Sequence, residues 1–183
     1  MRRITGGRRA LAAAALAPAV LMASGCLGLT DEPPLASGLR RYTGKGFTVG
    51  YPKAWSRPAA DRRVVPGSLF EVTTAAAGEP AGTFDILTHW GGTGLLDSVV
   101  SDFMRVSRSQ RGFELIGQER IETNGHTGYQ VREEYGAAPR RLRTVDWFAQ
   151  LKDGTVIDVR IGFARERYDA SLVAAIARSL SVR

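Results

Sequence analysis

Cysteine occurs once in this 183-residue chain and histidine twice. With Cys26 as the sole thiol, no disulfide closes within the chain, and no cysteine pair is available for redox or metal chemistry. His89 and His126 with scattered carboxylates make a poor set for zinc, which takes a convergent tetrahedral group of ligands. There is no Gly-x-Ser-x-Gly elbow for a hydrolase nucleophile. No glycine-rich loop carries the lysine of a phosphate-binding Walker motif. No apolar run reaches the roughly 17–25 residues that a membrane-spanning helix requires. Internal repeats and low-complexity stretches are absent too. Together these gaps argue against an enzyme and leave no cofactor to expect.

What is present begins with a leader. Arg2, Arg3, Arg8 and Arg9 form a basic start without an acid, and an apolar run from Ala10 to Met22 follows. Ala23, Ser24 and Gly25 then precede Cys26. A basic segment, a short apolar segment and small residues predict a secretory signal peptide over residues 1–25. Ala-Ser-Gly-Cys resembles the lipobox, in which the cysteine thiol receives a diacylglyceryl group before cleavage, although Ala23 stands where leucine is usual. The expected product is lipidated on Cys26 and held on the outer face of the cell membrane. An ordinary signal peptide followed by a free thiol is the competing reading. Arg8-Arg9 leaves twin-arginine export open beside the general route.

The leader also carries much of the charge. The formal net charge is +7, but removing four of the 25 basic residues leaves 21 against 18 acidic ones, a net charge near +3. Nucleic-acid binding calls for a clustered basic face, and here the signs are interspersed, so no nucleic-acid partner is expected. Residues 26–41 include Thr30, Asp31, Glu32, Pro33, Pro34, Ser37 and Gly38, a polar, proline-bearing tether. Residues 42–183 then suit one domain large enough to bury a core without disulfides.

Period-two alternation of Phe47, Val49 and Tyr51 predicts a strand that Pro52 ends, because proline cannot donate to a ladder. Two further strands are expected over 69–73 and 83–89. Leu95, Leu96, Val99, Val100, Phe103 and Met104 recur at spacings of three and four, predicting a helix over 94–110 with Thr93 as its cap and Gly112 as its stop. Four strands follow over 114–123, 128–135, 142–151 and 155–163. Asn124-Gly125 and Asp153-Gly154 join two of the pairs, since both dipeptides tolerate positive φ in tight hairpins. A last helix is expected over 167–181. Three strands, a helix, four strands and a helix describe an α+β fold, a mostly antiparallel sheet of about six or seven strands flanked by two main helices. Register and strand order stay open.

The opening Gly46-Phe-Thr-Val-Gly-Tyr-Pro52-x-x-Trp55 resembles the first strand of the PsbP-like fold, named for an extrinsic protein of photosystem II. The mid-chain helix, the hairpin over Asn124-Gly125-His126-Thr127-Gly128-Tyr129, the two long strands and the terminal helix are similar in course. The resemblance runs from about Tyr42 to the C-terminus and is nearest to actinobacterial lipoproteins of the LpqN/LpqT type. It implies an α/β/α sandwich and an accessory or binding role at membrane complexes or envelope machinery. No catalytic residue carries over.

The candidate contact residues are few. Trp55 closes the opening motif. His89 and Trp90, at a strand end beside the Gly91-Gly92-Thr93-Gly94 loop, could rim a ligand site, and the bland alternative is a satisfied edge histidine. His126 sits at a hairpin turn, where a polar residue needs no function. Arg140, Arg141 and Arg143 form the densest basic patch. The bland alternative is a solvated loop; the functional one is contact with anionic lipid headgroups, each charge contributing roughly 1 kcal/mol near the surface. Glu133 and Glu134 alternate across a strand and so cannot act as a carboxylate pair. The leading expectation is a non-enzymatic module anchored at the membrane and docking an envelope protein. A carrier or sensor of a small apolar or lipidic ligand is the alternative, and a hydrolase comes third. Metabolic labelling with a fatty acid tests the anchor. The wild-type chain should take up label and lose its leader, whereas Cys26→Ser should do neither.

Overall fold

The computed structural model describes residues 33–76, 79–88 and 95–183; the leader, Cys26, His89, Trp90 and the Gly91–Gly94 loop lie outside them. The elements in chain order are β1 (Leu39–Gly44), β2 (Phe47–Pro52), β3 (Phe70–Ala76), β4 (Glu79–Thr88), α1 (Leu96–Ser107), β5 (Glu114–Thr123), β6 (His126–Tyr135), β7 (Leu142–Gln150), β8 (Val156–Ala164), α2 (Ala170–Ser179) and β9 (Ser181–Val182). The expected antiparallel α+β architecture is present, with its strands divided between two sheets. Six strands pair antiparallel in the order β3-β4-β8-β7-β6-β5, and β1-β2-β9 form a separate sheet of three.

Two of the three small-sheet strands were not foreseen. β1 begins at Leu39, inside the stretch assigned to the tether, and Leu35 already packs on the core. Its mixed sequence, Leu-Arg-Arg-Tyr-Thr-Gly, shows no clean alternation. Pairing with β2 from Leu39↔Pro52 to Gly44↔Phe47 makes it a strand. β9 occupies the end of the predicted last helix, because α2 stops at Ser179. The Ser179 hydroxyl donates to the Ile176 carbonyl at 2.7 Å and accepts from the Gly50 N–H at 2.7 Å, turning the chain onto β2. The start of that helix also moves: Asp169 caps α2, accepting from the Leu172 N–H at 2.9 Å. The mid-chain helix is shorter than expected at both ends. Leu95, without a side-chain cap bond, occupies its N-cap position, and Thr93 lies outside the described residues.

The hairpin signals perform as their chemistry requires. Asn124 and Gly125 adopt φ of 51° and 76° and join β5 to β6, the left-handed pair that a two-residue turn needs to follow strand twist. Gly154, at φ 84°, serves the turn between β7 and β8, where Asp153 accepts from the Thr155 N–H at 3.1 Å. That bond and others from Thr155 and Lys45 hold the Asp153 carboxyl below its usual range.

Strand alternation divides the six-stranded sheet into two faces. On one, Phe84 and Ile86, Val145 and Trp147, and Val159 and Ile161 meet Val173, Ile176 and Leu180 of α2 and Phe47 and Val49 of the small sheet. The Trp147 indole N–H donates to the Gln130 side-chain oxygen at 2.7 Å, which satisfies its polar edge. On the other face, Leu96, Val100 and Met104 of α1 cover Val131, Phe148 and Val156. The Phe103 ring lies 5.0 Å from that of Phe148. The aromatic neighbours Trp147 and Phe148 therefore serve two different cores. Ile176, fully buried, should cost about 2–5 kcal/mol when cut to alanine in urea unfolding. Val106→Ala, on the exposed side of α1, should stay within about 0.5 kcal/mol.

Candidate functional site

The face that carries α1 is apolar only where α1 sits. Beyond the helix, towards β3, the same face is ionic. Cross-strand pairing lines up Glu71 with Asp85, Asp85 with Arg160, and Arg160 with Asp146. Asp158 lies one alternation away on β8, and Glu133 on β6 faces Thr144. All five carboxylates are buried, and Asp85 and Asp146 have no exposed surface at all.

Each member is held differently. Glu71 accepts from the N–H groups of Val64 and Val65 at 2.8 and 3.2 Å and from the Ser68 hydroxyl at 3.3 Å, pinning the loop before β3. Glu133 accepts from Ser107 of α1 at 3.2 Å and from Thr144 at 3.5 Å. Arg160 places Nε 2.5 Å from Asp146 and Nη2 3.8 Å from Asp158. Its guanidinium lies 5.4 Å above the Phe103 ring. Burial pulls the Arg160 value down, but Asp146, Asp158 and Asp85 outweigh it and hold the guanidinium well above its ordinary range. Among the described residues neither Asp85 oxygen has a hydrogen-bond partner or a close ion pair, whereas Asp158 has the Arg160 guanidinium at 3.8 Å.

A buried carboxylate with no donor is costly when ionised, so it holds its proton instead. Burial raises Asp85 from 3.8 to about 7, with Arg160 opposing and Asp158 and Glu71 adding to the rise. Burial likewise raises Asp146, where Arg160 opposes, and Glu133, where Ser107 opposes.

Asp85, Thr144, Arg160 and Gly162 floor a cavity of about 370 Å³. Val64, Val65 and Leu142 supply apolar wall, while Arg140, Arg141 and Glu166 stand at the rim. The volume is at the lower end of the roughly 300–1,000 Å³ of small-molecule sites. Donors and acceptors are present, Thr83, Thr144 and Tyr135 among them; no serine, cysteine or histidine among the described residues lines this cavity.

The predicted contact residues separate. Arg140 is exposed at the rim. Arg141 and Arg143 are not the solvated loop charges of the bland reading. Their Nε atoms lie 3.1 and 2.8 Å from the carboxylate of buried Glu134, which also draws Arg165 at 3.4 Å. Arg141 pairs with Glu114 as well, and Arg143 stacks 4.6 Å over Tyr168. Half-buried Trp55 sets its ring edge against Phe163, 5.8 Å between centroids. His126, half-buried at the start of β6, lines a different cavity of about 520 Å³ with Leu95, Arg120 and Lys152. Asp85, Asp146, Asp158 and Arg160 were missed because they alternate with apolar residues and look like the wet side of a half-buried sheet. The available signal was Arg160 flanked by Asp158 within a strand of a long hairpin, a charge pair where a central strand is otherwise apolar.

No protein-family model matches the chain, and no curated protein sequence matches it. Solved structures do. Cyanobacterial PsbP (CyanoP) from Synechocystis sp. PCC 6803 superposes with a TM-score of 0.56 at 20% identity, over 81% of this chain and 94% of that one. The fold is PsbP-like. The Ran-binding protein Mog1p of Saccharomyces cerevisiae matches at a TM-score of 0.50 and 12% identity, over 79% and 95% of the two chains. LpqN of Mycobacterium tuberculosis, involved in cell envelope biogenesis, gives 0.45 at 11% identity, over 82% of each. On this PsbP-like scaffold the ionic row is a feature of particular residues, because likeness at such identity reaches the backbone alone.

The row makes stability depend on pH. Asp85 binds its proton more tightly folded than unfolded, so its contribution is complete below 3.8 and is lost as pH rises to about 7. Asp146 and Glu133 act with the same sign. Thermal unfolding should show stability falling over that window, and Asp85→Asn should flatten the fall; an unchanged profile would remove Asp85 from it.

Proposed function

We propose that the chain is an exported lipoprotein. Cys26 carries the lipid, residues up to the start of β1 form the tether, and the PsbP-like domain is a non-enzymatic accessory module docking an envelope protein. The observation that carries this reading is the recessed cavity, which offers charged and apolar binding groups and, among the described residues, no serine, cysteine or histidine. The leader motif supports the address. No helix among the described residues is long and apolar enough to cross a membrane, so an anchor on Cys26 would supply the attachment. Mog1p, described as a Ran-binding protein, is a protein of similar fold that engages a partner. The rim, with Arg140 and Glu166 exposed, is the docking edge in this proposal.

The cavity also favours the second reading, a carrier or sensor of a small ligand, because its walls include Val64, Val65 and Leu142. A photo-crosslinker separates docking from mere display. Placed at Glu166 in growing cells, it should give one repeatable adduct that disappears with Cys26→Ser. Placed at Lys53, exposed after β2, it should not give that adduct. Identical adducts from both positions would mean nonspecific proximity and would refute a docking edge at the rim.

A further inference from the structure

The geometry points to the cavity beside α1 as a binding site for a small zwitterion with an apolar chain, its ammonium end donating to Asp85 and its acid end at the Arg140–Arg141 rim. This does not require a protein partner, so its failure and that of the docking reading are observed separately.

The floor needs a donor. Among the described residues neither Asp85 oxygen has one, although the residue is buried and lines the cavity. Arg160, the guanidinium opposite, is committed elsewhere, with Nε at 2.5 Å from Asp146 and Nη2 leaning towards Asp158. Asp85, Asp146, Asp158 and Glu133 thus surround one guanidinium, and Asp85, the acid of the cavity floor, goes short of a donor. Protonation of Asp85 relieves the shortage in the empty cavity. An ammonium ion relieves it better, because it brings several N–H donors along with its charge.

A metal ion is the less suitable guest. No three Asp, Glu, His or Cys side chains among the described residues are grouped to hold one. Divalent cations that prefer oxygen take about six or more ligands. One carboxylate with two open oxygens suits an N–H donor.

The walls and rim define the rest of the guest. Val64, Val65 and Leu142 offer apolar surface between floor and mouth, which suits a short methylene chain. The mouth carries Arg140 and Arg141. Glu134 and Glu114 engage Arg141 and Glu166 stands at the same rim, so exposed Arg140 is the rim cation placed to meet an acid group. Acidic floor and basic mouth run antiparallel to the dipole of an ω-amino acid.

The inference is tested by titrating the purified full chain with ω-aminohexanoate, hexylamine and hexanoate, read by calorimetry and by the shift in melting temperature. Aminohexanoate should bind tightest, hexylamine more weakly and hexanoate least. Asp85→Asn, nearly isosteric, should weaken both amines about tenfold or more, as loss of a charge-assisted hydrogen bond does. Arg140→Ala should weaken aminohexanoate and leave hexylamine unchanged. The groups around Asp85 are Glu71 on β3, Arg160 and Asp158 on β8, Asp146 on β7, and Glu133 and Tyr135 on β6. Asp85 itself is raised to about 7, and burial raises Asp146 and Glu133 as well, while an alkylamine stays charged to about pH 10. Amine binding to the wild-type chain should therefore strengthen from about pH 5 to about pH 8, a readout that stands even where a variant folds poorly. The inference is overturned if aminohexanoate does not bind, if hexanoate binds as well, or if folded Asp85→Asn binds the amines undiminished.

Discussion

Arg160 is the one cation inside a row of buried acids, and the ionic half of the sheet depends on it. Its strand, β8, lies between β4 and β7, so its guanidinium faces Asp85 on one neighbour and Asp146 on the other. A single Arg cannot hydrogen-bond every carboxylate around it. It takes Asp146 closely and Asp158 loosely, and burial raises Asp85 to about 7. Removing a partner from a buried ion pair typically costs about 3–5 kcal/mol, because the remaining charge loses its compensation. Such a row adds little stability for the desolvation it entails. What it supplies is a polar floor with one open acceptor.

The same sheet shows how a fold separates scaffold from site. The face towards α2 is apolar in its centre, where Trp147, Val159 and Ile161 lie, and the small sheet, whose third strand is only Ser181–Val182, packs there; Glu134 and Arg143 make it ionic towards its edge. The Asn124 side chain reaches Ser181 at 2.5 Å, linking the β5–β6 turn to that strand. The opposite face is shared between α1 over Phe148 and Val131 and the ionic row beyond it. Tyr129, hydrogen-bonded to Asp97 of α1 at 2.7 Å, and Ser107, bonded to Glu133, fix the helix at both ends. α1 therefore cannot slide over the cavity without breaking those contacts, and the floor stays next to open space.

The rim is organised by another buried acid. Glu134 gathers Arg141, Arg143 and Arg165 from three segments. Three guanidinium groups on one carboxylate keep a net positive edge even though each is individually compensated. Acidic floor and basic edge are thus products of two glutamate- and aspartate-centred clusters on adjoining strands, Glu133 serving one and Glu134 the other because successive side chains point to opposite faces.

The amino-acid pattern by itself determined the α+β class, the helix carrying Val100 and Met104, and the hairpin at Asn124-Gly125. Those depend on local periodicity and on φ preferences that neighbouring residues settle among themselves. The expected leader and Cys26 are likewise a linear pattern, and they lie outside the described residues. The amino-acid pattern could not determine that Leu39–Gly44 is a strand, since that segment has no alternation and pairs only because β2 lies beside it. Nor could it show that Asp85, Asp146 and Arg160 meet. Asp146 and Arg160 share a hairpin, but Asp85 joins them only because β4 inserts next to β8, a pairing between residues far apart in sequence. Burial decides the chemistry of a carboxylate, and burial belongs to the assembled sheet.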